Sequence, residues 1–191
     1  MTESRQAADR VAALRWAQSI ANDKRVLYLD TETTGLGDSA EIVDVALISA
    51  NGSVLFNTLI KPDRPIPADS SRIHGIYDRD VVGAPSWTGV SAWLGTLLSG
   101  ARVVVYNAEY DSRIINASCA RFSSIPMASG WECAMIQYAA FVGERGMYGD
   151  YKWHRLERAA AAMGIQPGGH RALEDANACR NVVLAMAGNR H

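Results

Sequence analysis

Cysteine is scarce in this chain of 191 residues: Cys119, Cys133 and Cys179 are far apart, odd in number and never in CxxC spacing. That excludes a disulfide scaffold and a thiolate zinc site, and leaves free thiols in a reducing compartment. Charge is nearly balanced, with 19 Lys and Arg against 20 Asp and Glu and a formal net charge of −1. A protein that grips a polyanion through bulk positive charge is therefore not expected. No stretch approaches the roughly 20 consecutive apolar residues that cross a bilayer. The first 25 residues are polar, of mixed charge, and contain no apolar secretory core. The expectation is a cytoplasmic protein with no membrane partner. Internal repeats, linkers and low-complexity tracts are missing too, so one domain is expected, residues 26–191, preceded by a helical extension over 1–25.

What is present is 48% apolar residues, enough for a real core. From Gln6 to Ile20, the residues Ala7, Val11, Leu14 and Ile20 fall near helical spacing, which predicts an amphipathic helix with Arg5, Arg10 and Arg15 on its solvated side. Three strands are predicted next, over Val26–Asp30, Glu41–Ala50 and Val54–Ile60. Asn51-Gly52 is a two-residue hairpin signal between the second and third. The Thr34–Ala40 connection, with Gly35 and Gly37, is also short enough for an antiparallel return, so an antiparallel meander opens the sheet. Lys61–Pro67 carries three prolines and is a loop. A short helix over Asp69–His74 follows, ended by Gly75, and Ser86 or Thr88 caps a helix to about Leu98. Arg102–Tyr106 is β-branched and nearly unbroken in hydrophobicity, as a buried central strand should be. Helices are predicted over Ala108–Phe122, Trp131–Val142, Trp153–Met163 and Leu173–Ala187, with a brief strand just before Cys133. Strands first, then strands alternating with helices, give an α/β fold with a mixed sheet.

Chemistry concentrates in three short clusters: Asp30-Thr31-Glu32-Thr33-Thr34-Gly35-Leu36, Asn107-Ala108-Glu109-Tyr110-Asp111 and His170-Arg171-Ala172-Leu173-Glu174-Asp175. Asp30 and Glu32 are two apart at a strand end and so share a side of the sheet. Gly35 permits a tight turn and close approach of backbone to a ligand. Asp111 falls one turn after Asn107 at the start of a helix; its competing reading is a surface acid favoured by the helix dipole. Glu109 is about 200° away around that helix and is expected in solvent. Asp175 belongs to the first turn of the last helix. His170, after Gly168-Gly169, belongs to a loop, where its near-neutral pKa suits a general base. Glu174 is expected to be solvated and Asp44 to be a structural acid inside a strand. His74 either structures a loop or touches substrate, and His154 and His191 have no neighbouring acid. Carboxylate oxygens suit hard divalent cations, and a pair of such cations is the usual machinery for cutting a phosphodiester. The residues alone therefore predict a metal-dependent nuclease. Tyr148, Tyr151, Lys152, Trp153 and Arg155 mix aromatics with cations, either to stack bases and touch phosphates or as a loop with Trp153 in the core.

At these residues the chain resembles the DnaQ-like 3′–5′ exonucleases, in particular the DEDDh group of the RNase H-like superfamily. Asp30 and Glu32 match its first motif, Asp111 the second, and His170 with Asp175 the third. Ile73-His74-Gly75-Ile76 and His170 to Ala176 are supporting matches, and the similarity runs from about Val26 to Ala187. Tyr110 stands where the family often has Phe. The resemblance implies an α/β, three-layer RNase H-like fold, with a mixed five-stranded sheet flanked by helices and residues 26–191 as the exonuclease domain. It further implies hydrolysis of terminal phosphodiesters of DNA, releasing nucleoside 5′-monophosphates, in proofreading or end-trimming.

On the family pattern Asp30 would bridge two Mg²⁺ or Mn²⁺ ions, Glu32 and Asp175 would complete the shell of one, and Asp111 would serve the other. His170 would take a proton from the attacking water. Thr33, Thr34, Leu36, His74, Asn107 and Tyr110 are the implied substrate contacts, with Leu36 as a wedge against the terminal base. The implied partner is a nucleic acid 3′ end, single-stranded DNA first. RNA as substrate, a DNA polymerase partner, and a monomer or homodimer all stay open. Two other readings stay open as well: an exoribonuclease of the same family, and an inactive nucleic-acid-binding or polymerase-associated module.

Overall fold

Side chains of the first strand point alternately into two separate cores, and this alternation fixes the layers of the molecule. The computed structural model describes residues 2–122, 130–147 and 149–188; Tyr148 and His191 lie outside the described residues. Its elements are α1 (Glu3–Asn22), β1 (Leu27–Thr33), β2 (Ile42–Ser49), β3 (Val54–Leu59), α2 (Ala68–His74), α3 (Asp78–Val81), α4 (Trp87–Leu98), β4 (Arg102–Val105), α5 (Ala108–Arg121), β5 (Gly130–Cys133), α6 (Ala134–Val142), α7 (Leu156–Ala162) and α8 (Ala172–Met186). The strand order is β3-β2-β1-β4-β5. The first three strands form the expected antiparallel meander, and β4 and β5 add in parallel.

Leu27 and Leu29 join Val103 and Val105 in a core covered by Leu94 and Leu98 of α4 and by Ile114, Ile115 and Cys119 of α5. Tyr28 and Val104 face the other way, into a core built with α1, α6, α7 and α8. Helices thus cover both faces of a mixed sheet, which is the α/β architecture predicted. No helix of the described residues is long and apolar enough to cross a membrane.

Three local expectations are corrected. The buried stripe of α1 is Ala13, Ala17 and Ile20, whereas Ala7 and Val11 are exposed. The small side chains let α1 lie close to α6 and α8, with Gln6 Nε2 donating to the Gly143 carbonyl at 2.7 Å and Trp16 Nε1 donating to Glu132; Arg5, Arg10 and Arg15 are exposed as expected. Residues 131–133 are strand and not helix, because they pair with β4, and α6 starts only at Ala134. Residues 153–155 are not helical either: the His154 carbonyl accepts from Tyr106 Oη at 2.8 Å, and α7 starts at Leu156.

Two features place the functional end of the sheet. The β1–β4 ladder is short, pairing Leu27 with Val103 and Tyr28 with Val104. Beyond it, β1 runs on past the end of β4, so the edge of its second half faces the start of α5. The loop leaving β1 is then tied down by Glu41. Its backbone exchanges hydrogen bonds with Thr34, and its carboxylate accepts from Asp63 N at 2.7 Å and Arg64 Nε at 2.9 Å, with Arg121 Nη1 at 3.3 Å. Burial alone would raise the Glu41 carboxyl, but those hydrogen bonds and the Arg121 charge hold it below its ordinary value.

Glu41→Gln should lower stability by about 2 kcal/mol, the scale of hydrogen bonds to a charged group. For a chain of this size that is a Tm lower by roughly 4–8 °C. Because the carboxyl is depressed, its contribution is present above the ordinary value of 4.5 and lost as pH falls through the folded-state value. Thermal unfolding should therefore separate variant and wild type at neutral pH and bring them together on acidification.

Candidate active site

Asp30 and Glu32 leave β1 on the face that α8 covers, and α8 brings Asp175 to meet them. One carboxylate oxygen from each lies within 4.8 Å of the other two. The loop before α8 crosses that helix at very short range. A Cβ on Gly168 would sit 1.5 Å from Asp175 Oδ1 and 3.1 Å from its Cα, so only glycine fits there. Gly169 N donates to Glu174 Oε2 at 2.8 Å, so exposed Glu174 tethers this loop.

Asp111 arrives from the opposite face and stands outside that trio. It is buried, and its Oδ1 accepts from Thr31 Oγ1 at 2.9 Å. Thr31 lies between the two acids of β1 and so points the other way, towards α5. Glu109 is exposed, as its helical phase predicted.

The carboxylates strain against one another. Burial, then repulsion from Asp111, Glu32, Asp175 and Asp44, drives the Asp30 carboxyl far above the usual range. Burial and the same neighbours push Glu32 up to about 8. Burial raises Asp111 to about 7 against hydrogen bonds from Thr31, and Asp175 to about 6 against the opposing influence of His170. An all-oxygen donor set whose charges lack a matching cation suits a hard divalent ion such as Mg²⁺ or Mn²⁺. The residues present therefore fit that cofactor.

His170 sits in the loop before α8 with φ 55, the sole non-glycine at positive φ among the described residues. Its Nε2 is 3.2 Å from Glu157 Oε1 on α7. Next to it, Arg171 Nε donates to Asp44 Oδ2 at 2.9 Å. Asp44 is buried, as expected of a structural acid in a strand.

The β1–β2 loop is held by Tyr110, which the motif pattern named, and by Arg113 and Ser70, which it did not. Tyr110 Oη donates to the Gly35 carbonyl at 2.8 Å and lies 2.5 Å from Thr33 Oγ1. The phenol hydroxyl makes both contacts. Arg113 donates to the Leu36 carbonyl at 2.9 Å and pairs with Asp38. Leu36 is left 81% exposed at the loop tip. Ser70 Oγ donates to the Thr34 carbonyl at 2.9 Å. Asn107 is exposed beside the site.

His74, expected among the substrate contacts, is 2% exposed; its Nδ1 accepts from Ile76 N at 3.1 Å, and the burial of the ring lowers its pKa. That bond orders the turn after α2, and Nε2 is buried without a hydrogen-bond partner among the described residues. Trp153 is exposed and not in the core, and Arg155 is exposed too, whereas Tyr151 bonds Asp9 and Lys152 pairs with Glu144. The fold also brings Glu144 to 3.4 Å from His154, an acid that no local pattern announced.

Residues 27–183 match the family model described as Exonuclease. The chain is 39% identical over 183 residues to Uncharacterized exonuclease CP81 of Escherichia phage 186, covering 92% of each chain. It is 29% identical over 178 residues to DNA polymerase III subunit epsilon of Treponema pallidum, covering 90% of this chain and 80% of that one. Among solved structures, E. coli Exonuclease I in complex with a dA16 oligonucleotide superposes with a TM-score of 0.67 at 19% identity. That match covers 83% of this chain and 40% of the longer one, and it shows that the fold is RNase H-like.

Glu32, Asp111 and Asp175 hold protons in the folded state up to about 8, 7 and 6, against ordinary values of 4.5, 3.8 and 3.8. The folded chain thus binds protons more tightly than the unfolded chain across that window. Chelated protein should be most stable near the acid end and lose Tm as pH rises from about 4 to about 8. Saturating Mg²⁺ or Mn²⁺ should flatten the slope by binding the folded state. A slope that is the same with and without cation, in thermal unfolding scans across this range, would contradict the assignment.

Proposed function

This chain belongs to the exonuclease family as a DnaQ-like member, and on that premise we propose that it is a 3′–5′ exonuclease working with two metal ions on DNA. It would hydrolyse the terminal phosphodiester and release nucleoside 5′-monophosphates. The observation that carries this reading is the convergence of Asp30, Glu32 and Asp175 within 4.8 Å, with Asp111 held beside them by Thr31.

Two Mg²⁺ or Mn²⁺ ions held by Asp30, Glu32, Asp175 and Asp111 would supply positive charge at the phosphate and at the attacking and leaving oxygens. The chain's own groups do the rest. His170 accepts the proton of the attacking water as its oxygen bonds to phosphorus and the bond to the 3′ oxygen breaks. Its loop lets the imidazole reach the water without joining the carboxylate cluster. The Thr33-Thr34 backbone lies against the terminal nucleotide, and Leu36, exposed at the tip, presses on its base. Tyr110, with its hydroxyl on the Gly35 carbonyl, keeps that wedge in place.

Two relatives support DNA as the substrate: one is a DNA polymerase III subunit, and one solved neighbour is bound to a dA16 oligonucleotide. Proofreading beside a polymerase and free-standing end-trimming both use this chemistry. Cys119, Cys133 and Cys179 are free of disulfides, which supports a reducing compartment such as the cytoplasm as the setting of the reaction.

The test is a time course on 3′- and 5′-labelled DNA, single-stranded and duplex, with RNA of the same sequence alongside. Mononucleotides should appear from the 3′ end of DNA, and chelator or Asp30→Asn should stop them. His170→Ala should lower kcat by about 10²–10⁴, the usual worth of a general base, with Mn²⁺ affinity unchanged. Release from the 5′ end, chelator-resistant cleavage or a preference for RNA would each overturn the proposal in that respect.

A further inference from the structure

Asp44 is a fifth acid beside the cluster, and it has no place in the proposed chemistry. It stands opposite Glu32 in the β1–β2 register and is 1% exposed. Its charge adds to the repulsion on both Asp30 and Glu32. A buried carboxylate is costly unless its partners compensate, so those partners identify what it does.

Both partners belong to the segment that carries His170. Oδ2 accepts from Arg171 Nε at 2.9 Å and from Ala172 N at 3.4 Å, while Oδ1 has no partner. Ala172 is the first residue of α8, and the N-cap residue, Arg171, makes no side-chain cap of its own. An unpaired N–H at a helix start needs an acceptor, and Asp44 supplies one from across the sheet. On the other side of His170, Gly168 is pressed against Asp175 and Gly169 is bonded to Glu174. His170 is therefore anchored on both flanks while its own backbone is left-handed at φ 55. Non-glycine residues keep that conformation only where their surroundings impose it.

We propose that Asp44 and Arg171 are a positioning pair that docks the His170 loop on the sheet and so aims the imidazole at the attacking water. The aiming half rests on the reading of His170 as the base; the docking half does not. Asp44 and Arg171 contact neither substrate nor metal in this scheme, and they act through His170.

The decisive variants are Arg171→Gln, Asp44→Asn and the two combined. The combined variant removes both charges together and keeps the protein foldable where a single change would leave a buried charge unpaired. Two readouts are needed. In the metal-free protein, hydrogen exchange of amides 169–175 should accelerate in the combined variant, while the remaining amides of α8 stay protected. In turnover, kcat should fall by about 100-fold, the scale of a small misplacement of a reacting group, with KM for the oligonucleotide and Mn²⁺ affinity held. Adding His170→Ala to the combined variant should cost little more, because the imidazole is already misaimed.

Unchanged exchange over 169–175 would overturn the docking. Mn²⁺ affinity falling together with kcat would make Asp44 part of the metal shell instead. A full additional loss from His170→Ala would show that the pair acts independently of the base. A wild type that releases no mononucleotides would defeat the exonuclease reading alone, since exchange reports the docking without turnover.

Discussion

Repulsion among carboxylates at the far end of β1 is the constraint around which the rest of this molecule is arranged. Acids half or wholly withdrawn from water are forced together by strand period and helix placement; burial raises the proton affinity of all four, and repulsion from the others raises Asp30 and Glu32 further. Protons relieve this crowding on the acid side, and a divalent cation would relieve it once the protons leave. Hydrogen bonds cover part of the deficit, as Thr31 does for Asp111, and nearby Arg171 eases Glu32 slightly. The remainder would favour the uptake of cations.

Around that charge the scaffold is rigid where it must be and open where it can be. The short β4 stops early, so β1 offers its last acids beyond the ladder and α5 can slide Asp111 in from the other face. The β1–β2 loop is braced from three directions, by Tyr110 and Arg113 of α5, by Ser70 of α2 and by the Glu41 network. The segment before α8 is anchored at both ends with a histidine between them. Both loops beside the acids thus have backbones held by side-chain hydrogen bonds.

Much of this was legible in the residues. Strand-like apolar stretches located β2, β3 and β4 within one residue, whereas β1 runs three residues past its expected end at Asp30; Asn51-Gly52 marked the hairpin, and the two-residue spacing put Asp30 and Glu32 on one face. Helical phase separated Asp111 from Glu109. Other features were not legible, because they depend on residues distant in the chain. Nothing near His154 announced Glu144, nor anything near His170 Glu157. The stripe of α1 was misjudged because alanines and not larger residues form its buried side. The strand before α6 was mostly taken as helix because its pairing with β4 is a tertiary fact. His74 lay in a family-like tetrapeptide, and only its burial shows that it orders a turn.

The contribution of α8 has a temporal side. This helix supplies both a wall of one core and the third acid of the cluster, and among the described residues it follows every other element. Domains emerging from the ribosome fold as their parts become available. Until α8 has been translated and docked, the cluster lacks Asp175 and the loop histidine has no seat, so a half-made polypeptide holds only part of the acidic cluster while it is still being synthesised.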